Sequence, residues 1–159
     1  MIVARWIARA GRAVVQRVRS APGLWLLCLV AVIAASWPYL DVLDHWPWSL
    51  DDWVWVRAGA DRGLRWAITE SHFIAWRPVA ALSYLVTYWL VGYEPGAYRV
   101  TDLVLFGLAV VSVGVGARVL LRDRAGWWAG LAAVLFALHP VGHEIAPYLA
   151  RRSYSIALG

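Results

Sequence analysis

Long runs without a charged residue constrain the fold of this chain more than any other feature. Residues 20–40 carry no charge between Arg19 and Asp41, and about 20 apolar residues suffice to cross the roughly 30 Å hydrocarbon core of a bilayer. The runs 100–121 and 125–142 are similarly apolar. Over the whole chain 62% of residues are hydrophobic and 16% charged, against about 45–50% and about 25% in soluble domains. The sequence therefore predicts an all-α integral membrane protein.

The predicted organisation has four parts. Residues 1–19 form a cytoplasmic amphipathic helix, because arginines and apolar residues take opposite helical faces, and residues 20–40 form the first transmembrane helix. Residues 41–99 form an outer loop with juxtamembrane or re-entrant helices. Residues 100–159 contain two further membrane helices and the start of a missing remainder. Five arginines precede the first span and place its start in the cytoplasm.

The apolar segment 78–93 decides the number of spans. It has 16 residues, which is short for a helix that crosses a bilayer. As a juxtamembrane or re-entrant helix it gives three spans and keeps Arg118, Arg122 and Arg124 in the cytoplasm, as the positive-inside rule favours. As a full span it gives four and moves those arginines outside. We predict three spans, with four as the alternative.

Two kinds of charged residue in the outer loop are candidates for chemistry. The adjacent carboxylates Asp51 and Asp52 either cap a helix, or supply a general base if burial or each other's charge shifts one pKa. Arg77 and Arg99 each precede an apolar run. They either anchor the chain at the lipid head groups or bind a lipid phosphate through bidentate donors.

A third candidate is the stretch "FALHPVGHEIAPYLARRS", residues 136–153, where an apolar run ends in charged and imidazole side chains. His139 and His143 have the spacing of a metal pair, but Pro140 and Gly142 disfavour the regular helix that such a pair needs. We therefore predict no metal and no cofactor. Polar groups at the end of a span either lie at the interface or line a cavity, and we predict a cavity beneath the acidic loop.

Taken in order, these stretches resemble the GT-C class of integral membrane glycosyltransferases. The chain is most similar to the N-terminal part of the transmembrane-and-tetratricopeptide O-mannosyltransferases and their bacterial relatives. "LDDWVWV" is similar to the family's Asp-Asp, and "RPVAALSYLVTYWLVGYEPGAYRVTDLVLFG" to its Arg-Pro-Leu and Gly-x-x-Pro. "LFALHPVGHEIAPYLARRS" is similar to its Leu-Phe-Ala-Leu-His-Pro-Val, then Glu, then Arg-Ser. The resemblance covers about 40–159 and depends on the order and spacing of the motifs.

The resemblance implies transfer of a sugar from a polyprenyl-phosphate donor to a protein or glycan acceptor on the outer face of a membrane, which we expect to be a bacterial inner membrane. It implies Asp51 or Asp52 as the catalytic carboxylate. The remaining predicted site residues bind substrate or shape the cavity: Arg77, Arg99, His139, His143, Glu144 and Arg152.

Some positions depart from the family pattern. Thr101 and Asp102 stand where the relatives usually carry Asn, and Tyr154 where an acidic residue is common, so the donor sugar stays open. Because residues 153–159 read as the start of another apolar stretch, we expect the chain to be a fragment that is inactive alone.

Two other functions compete with the enzyme. One is a non-catalytic membrane scaffold, and the other is a transporter of lipid-linked sugars. An acidic pair in an outer loop favours the enzyme, because transport sites place acidic residues near the middle of the membrane. The basic residues lack the pattern of a nucleic-acid surface, so we predict no nucleic-acid partner.

Overall fold

The computed structural model describes residues 15–16, 20–43, 50–69, 77–121 and 126–140. Within these ranges 91% of the residues are helical and no strand is present, which confirms the all-α prediction. The predicted amphipathic helix 1–19 falls outside the described residues apart from 15 and 16.

Five α-helices make up this part of the chain. They are α1 (Pro22–Ser36), continued by a 3₁₀ turn (Trp37–Val42), α2 (Leu50–Thr69), α3 (Pro78–Val91), α4 (Pro95–Leu121) and α5 (Trp127–Leu138). Prolines open α1, α3 and α4, where their fixed φ and missing N–H suit the first turn. Helix α4 begins five residues before the predicted span 100–121, so Arg99 lies inside the helix.

Helices α1, α4 and α5 form a bundle in which α4 runs antiparallel to the other two helices. Gly107 of α4 lies against Val32, and Gly114 lies against Leu24 and Cys28, so α4 runs opposite to α1. Gly126 and Gly130 lie against the first half of α1, so α5 starts where α1 starts. The end of α1, the start of α4 and the end of α5 therefore share one end of the bundle. We call this end, residues 37–42, 95–102 and 136–140, the loop end, and the opposite one the start end.

Small side chains form most of the bundle core. Where α1 and α5 meet, the buried positions are largely alanines, which let the two backbones approach closely, as packed helices in membranes do. The larger side chains of the core include Phe106 of α4, which stacks on Phe136 of α5 with ring centroids 6.1 Å apart. The buried alanines are Ala21, Ala31, Ala35, Ala129, Ala133 and Ala137.

The outward surface of the bundle is strongly apolar. Pro22–Asp41 and Pro95–Leu121 are long and apolar enough to cross a membrane, yet only 28% and 33% of their most apolar windows is buried. A core helix of a soluble protein would have most of that surface covered, whereas a helix in lipid is apolar all round. These two helices suggest association with a membrane.

Helices α2 and α3 pack as a pair, and α3 contacts α4. Val56, Trp66 and Ala67 of α2 meet buried residues of α3, and Tyr98 of α4 completes the cluster. The Tyr98 hydroxyl donates a hydrogen bond to the Gly92 carbonyl at 3.0 Å. The α2–α3 pair is therefore attached at the loop end.

Helix α2 changes direction at Gly63, which has φ 66° and ψ −160°. That region of backbone space is essentially restricted to glycine. We expect Gly63→Ala to lower the free energy of unfolding by about 1–3 kcal/mol, as thermal unfolding of the protein in detergent would measure. Gly116→Ala is the matched control, because Gly116 is helical and has nothing within 4 Å of an added Cβ. Equal loss of stability in both variants would contradict the assigned kink.

Candidate functional site

Arg99 is the predicted site residue that the structure places most clearly. It lies one turn into α4, at the loop end, with 8% of its surface exposed. Burying a guanidinium requires compensating charge or hydrogen bonds, so such residues in apolar helices usually serve a site or a structural network.

Asp102 is a buried carboxylate that the sequence reasoning had not placed among the site residues. It is 5% exposed and follows Arg99 by three residues, a spacing that puts two helical positions side by side. The arginine-to-acid spacing inside an apolar run is the signal that could have identified it. Arg99 and Asp102 together bring both charges to the loop end.

His139 ends α5 at the same loop end. It is exposed and has extended backbone (φ −63°, ψ 138°), and its N–H contacts the Phe136 carbonyl at 3.4 Å. Since Phe136 stacks on Phe106, one turn beyond Asp102, His139 and Asp102 belong to the same end of the bundle. The other predicted residues of this motif fall outside the described residues: His143, Glu144 and Arg152.

Arg77 takes a different position. It precedes α3 as its N-cap and is half-buried, and its carbonyl accepts the Ala81 N–H at 3.0 Å. Fourteen residues of helix separate it from the turn that leads into α4, a rise of about 21 Å. Arg77 and Arg99 therefore stand toward opposite ends of α3, and the structure does not bring them together.

Asp51 and Asp52 occupy the first turn of α2, where the structure describes their backbone. Carboxylates in the first turn of a helix interact favourably with the helix dipole. Asp52 stands four residues before Val56, which is fully buried in the cluster that contains Tyr98. The position of Asp52 is thus one turn from a buried cluster that includes Tyr98, the residue before Arg99, whereas Asp51 belongs to the adjacent row.

A polar group on α2 adjoins the turn between α3 and α4. Arg57 and Asp61 form an exposed ion pair at 3.5 Å, and the rings of Tyr88 and Tyr93 meet edge to face at 5.0 Å. Partial desolvation is the first cause that raises the pKa of the Tyr93 phenol from its ordinary value, with Tyr88 and Asp61 adding to it. The charged side chains of Arg57 and Asp61 therefore lie close to the turn between α3 and α4.

The raised Tyr93 pKa gives a pH prediction. The neutral phenol is favoured by folding, so its contribution to stability is present below pH 10 and is lost as the pH rises through the folded pKa. We expect Tyr88→Phe to lower the pKa of Tyr93. Alkaline titration of tyrosinate absorbance, with Tyr93→Phe subtracted as the control, would measure it, and an unchanged curve would contradict the contact.

In the part of the chain that the structure describes, no group of three His, Cys, Asp or Glu side chains could hold a metal ion. Comparisons with protein-family models, with curated proteins and with solved structures each found no match. What the fold defines is a class: an all-helical protein with two helices long and apolar enough to cross a membrane. The GT-C resemblance stays a prediction.

Proposed function

We propose that this chain is the N-terminal part of a membrane glycosyltransferase, which moves a sugar from a polyprenyl-phosphate donor to a protein or glycan acceptor on the outer face. One observation carries the proposal: Arg99 and Asp102 are buried side by side at the loop end. The helix that begins with the Asp51–Asp52 pair shares a buried cluster with Tyr98, the residue that precedes Arg99 in α4. A carboxylate and a cation near one surface are what the reaction requires.

The proposed topology has three spans, α1, α4 and the apolar run 125–142 that contains α5, with α3 as a juxtamembrane or re-entrant helix. The shared loop end of α1 and α4 supports this topology, because a fully crossing α3 would put the end of α1 and the start of α4 on opposite faces. The loop end then faces outward and the start end, which includes Arg118, faces the cytoplasm, with the N-terminus on that side.

The proposed chemistry uses few groups. An acceptor hydroxyl loses its proton to the carboxylate of Asp52, and the resulting oxygen attacks the anomeric carbon of the donor. The bond between that carbon and the phosphate oxygen breaks, and polyprenyl phosphate leaves with the electron pair. Arg99 stabilises the negative charge that develops on the departing phosphate.

A transporter of lipid-linked sugars is the second candidate, and one feature favours it. Asp102 and Arg118 are both buried within α4, and charged residues inside apolar helices are common along transport pathways. Such a protein would carry the donor across the bilayer without breaking the sugar–phosphate bond.

The test uses the full-length protein in liposomes with a labelled polyprenyl-phosphate sugar and a membrane extract as acceptor. We expect label to move from the lipid to the acceptor, and Arg99→Gln to slow that transfer about a hundredfold, the typical effect of losing one oxyanion donor. Arg57→Gln, in the exposed pair on α2, is the control and should keep the wild-type rate. Donor that crosses the bilayer intact, with no transfer, would favour the transporter over the enzyme.

A further inference from the structure

Tyr98 is the residue of α4 that joins the buried cluster of the α2–α3 pair. It immediately precedes Arg99, and it stands one helical turn before Asp102, on the same row of the helix. None of its surface is exposed, and the other buried members of its cluster belong to α2 and α3. The side chain next to the two charged residues of α4 therefore packs with the helices that carry the acidic pair.

A hydrogen bond fixes Tyr98 to the end of α3. Its hydroxyl donates to the Gly92 carbonyl at 3.0 Å, and the Gly92 N–H donates to the Tyr88 carbonyl at 2.8 Å. Gly92 thus closes α3 and also accepts a hydrogen bond from α4. Because a buried phenol hydroxyl without an acceptor costs free energy, this arrangement is favoured over one in which the two helices separate.

The turn that this hydrogen bond spans is short. Helix α3 ends at Val91 and α4 begins at Pro95, so residues 92–94 are the whole connection. Gly92 has φ 65° and ψ −132°, a conformation that residues with a Cβ rarely adopt. Since a glycine turn alone leaves the angle between two helices variable, the Tyr98 hydroxyl is the group that fixes the angle between α3 and α4.

We propose that Tyr98 is a positioning residue, which holds the α2–α3 pair at a fixed angle to α4 and thereby sets the distance between Asp52 and Arg99. This rests on the proposed function and adds a residue that the chemistry itself does not use. The base and the cation of that chemistry belong to different helices. A misplacement of about 1 Å in such an arrangement can slow a reaction about a hundredfold.

The first test measures the geometry without depending on catalysis. Spin labels are placed at the exposed positions Val54 of α2 and Val104 of α4, in full-length protein in liposomes. The native cysteines, including the buried Cys28, are replaced by alanine. Double electron–electron resonance should give one narrow distance for this protein. Adding Tyr98→Phe should raise the population of a second distance about tenfold, the effect of losing one hydrogen bond.

Thr101→Val is the matched control for this measurement. The Thr101 hydroxyl donates to the Ala97 carbonyl at 2.8 Å within α4, so its loss removes a hydrogen bond that joins no second helix. We expect the wild-type distance in this variant. Unchanged distances in both Tyr98→Phe and Tyr98→Leu, or an equal change in Thr101→Val, would overturn the proposal.

The second test asks whether the hydroxyl and its acceptor act as a pair. Gly92→Ala strains the backbone at the acceptor carbonyl, although nothing lies within 4 Å of the added Cβ. If the two groups are coupled, the double variant Tyr98→Phe, Gly92→Ala should alter the distances no more than the larger single change does. Fully additive effects would contradict the pairing.

Sugar transfer gives the functional readout, measured at equal amounts of folded protein. Tyr98→Phe should lower kcat about tenfold and leave the donor KM within about twofold of wild type, because Arg99 keeps its place in α4. A raised donor KM with unchanged kcat would assign Tyr98 to donor binding and overturn the positioning role, as would a lower kcat with unaltered distances. Altered distances with no transfer by any variant, wild type included, would support the link between the helices and contradict the enzyme.

Discussion

Asp52→Asn is expected to lower the rate of sugar transfer by about 10²–10⁴-fold, the range over which a general base accelerates such a step. The amide retains the size of the side chain but cannot accept the proton of the acceptor hydroxyl. Asp52 takes precedence over Asp51 because its position is one turn before Val56, a member of the buried cluster that includes Tyr98 of α4. Initial rates of the full-length enzyme, with donor saturating, would measure the loss.

The matched control is Asp61→Asn in the same helix. Asp61 is 62% exposed in its side chain and pairs with Arg57, so its loss should leave transfer at the wild-type rate. If Asp51→Asn abolished transfer and Asp52→Asn did not, position on the helix face would not identify the general base. Full activity in both variants at the acidic pair, with unchanged folding, would contradict the enzyme.

Gly130→Leu is expected to abolish the packing of α5 on α1. A Cβ at this position would lie 2.7 Å from the Leu27 Cβ and 3.1 Å from the Gly23 carbonyl oxygen, so the backbones themselves would have to separate. Overpacking of a core usually destabilises by about 1–3 kcal/mol, and we expect Gly130→Ala to fall in that range and Gly130→Leu to exceed it. Thermal unfolding in detergent measures the change.

Gly116→Leu serves as the control for helix propensity and added apolar surface, since Gly116 faces open space on α4. A disulfide placed between the starts of α1 and α5 gives a second readout, because it forms only while those helices adjoin. Wild-type stability and full disulfide formation in Gly130→Leu would contradict the close approach.

The fold was predictable to the extent that local composition decides it. A run without charge between Arg19 and Asp41 favours a helix in lipid whatever its neighbours, and α1 lies there. The beginning of α4 was harder, because Arg99 and Asp102 interrupt the apolar pattern while Pro95 starts the helix before them. Their burial depends on packing against other helices, which the local sequence does not express.

The candidate site was predictable in its residue types and less so in its grouping. Arg77 and Arg99 look alike in sequence, each before an apolar run, yet the length of α3 lies between them. Asp102 looked like a departure from a family pattern, and only the helix that begins at Pro95 places it beside Arg99. The kink at Gly63 depends on one residue's φ, which no periodicity indicates.

The alanine contact between α1 and α5 also affects the order in which the chain assembles. Leu27 and Gly130 meet although about 100 residues separate them, and contacts of such long range form late. During synthesis α1 leaves the ribosome well before its principal partner exists. Until α5 follows, the alanine face of α1 lacks the helix against which it packs in the folded chain. Substitutions on that face are therefore expected to affect the assembly of the newly made chain more than its equilibrium stability.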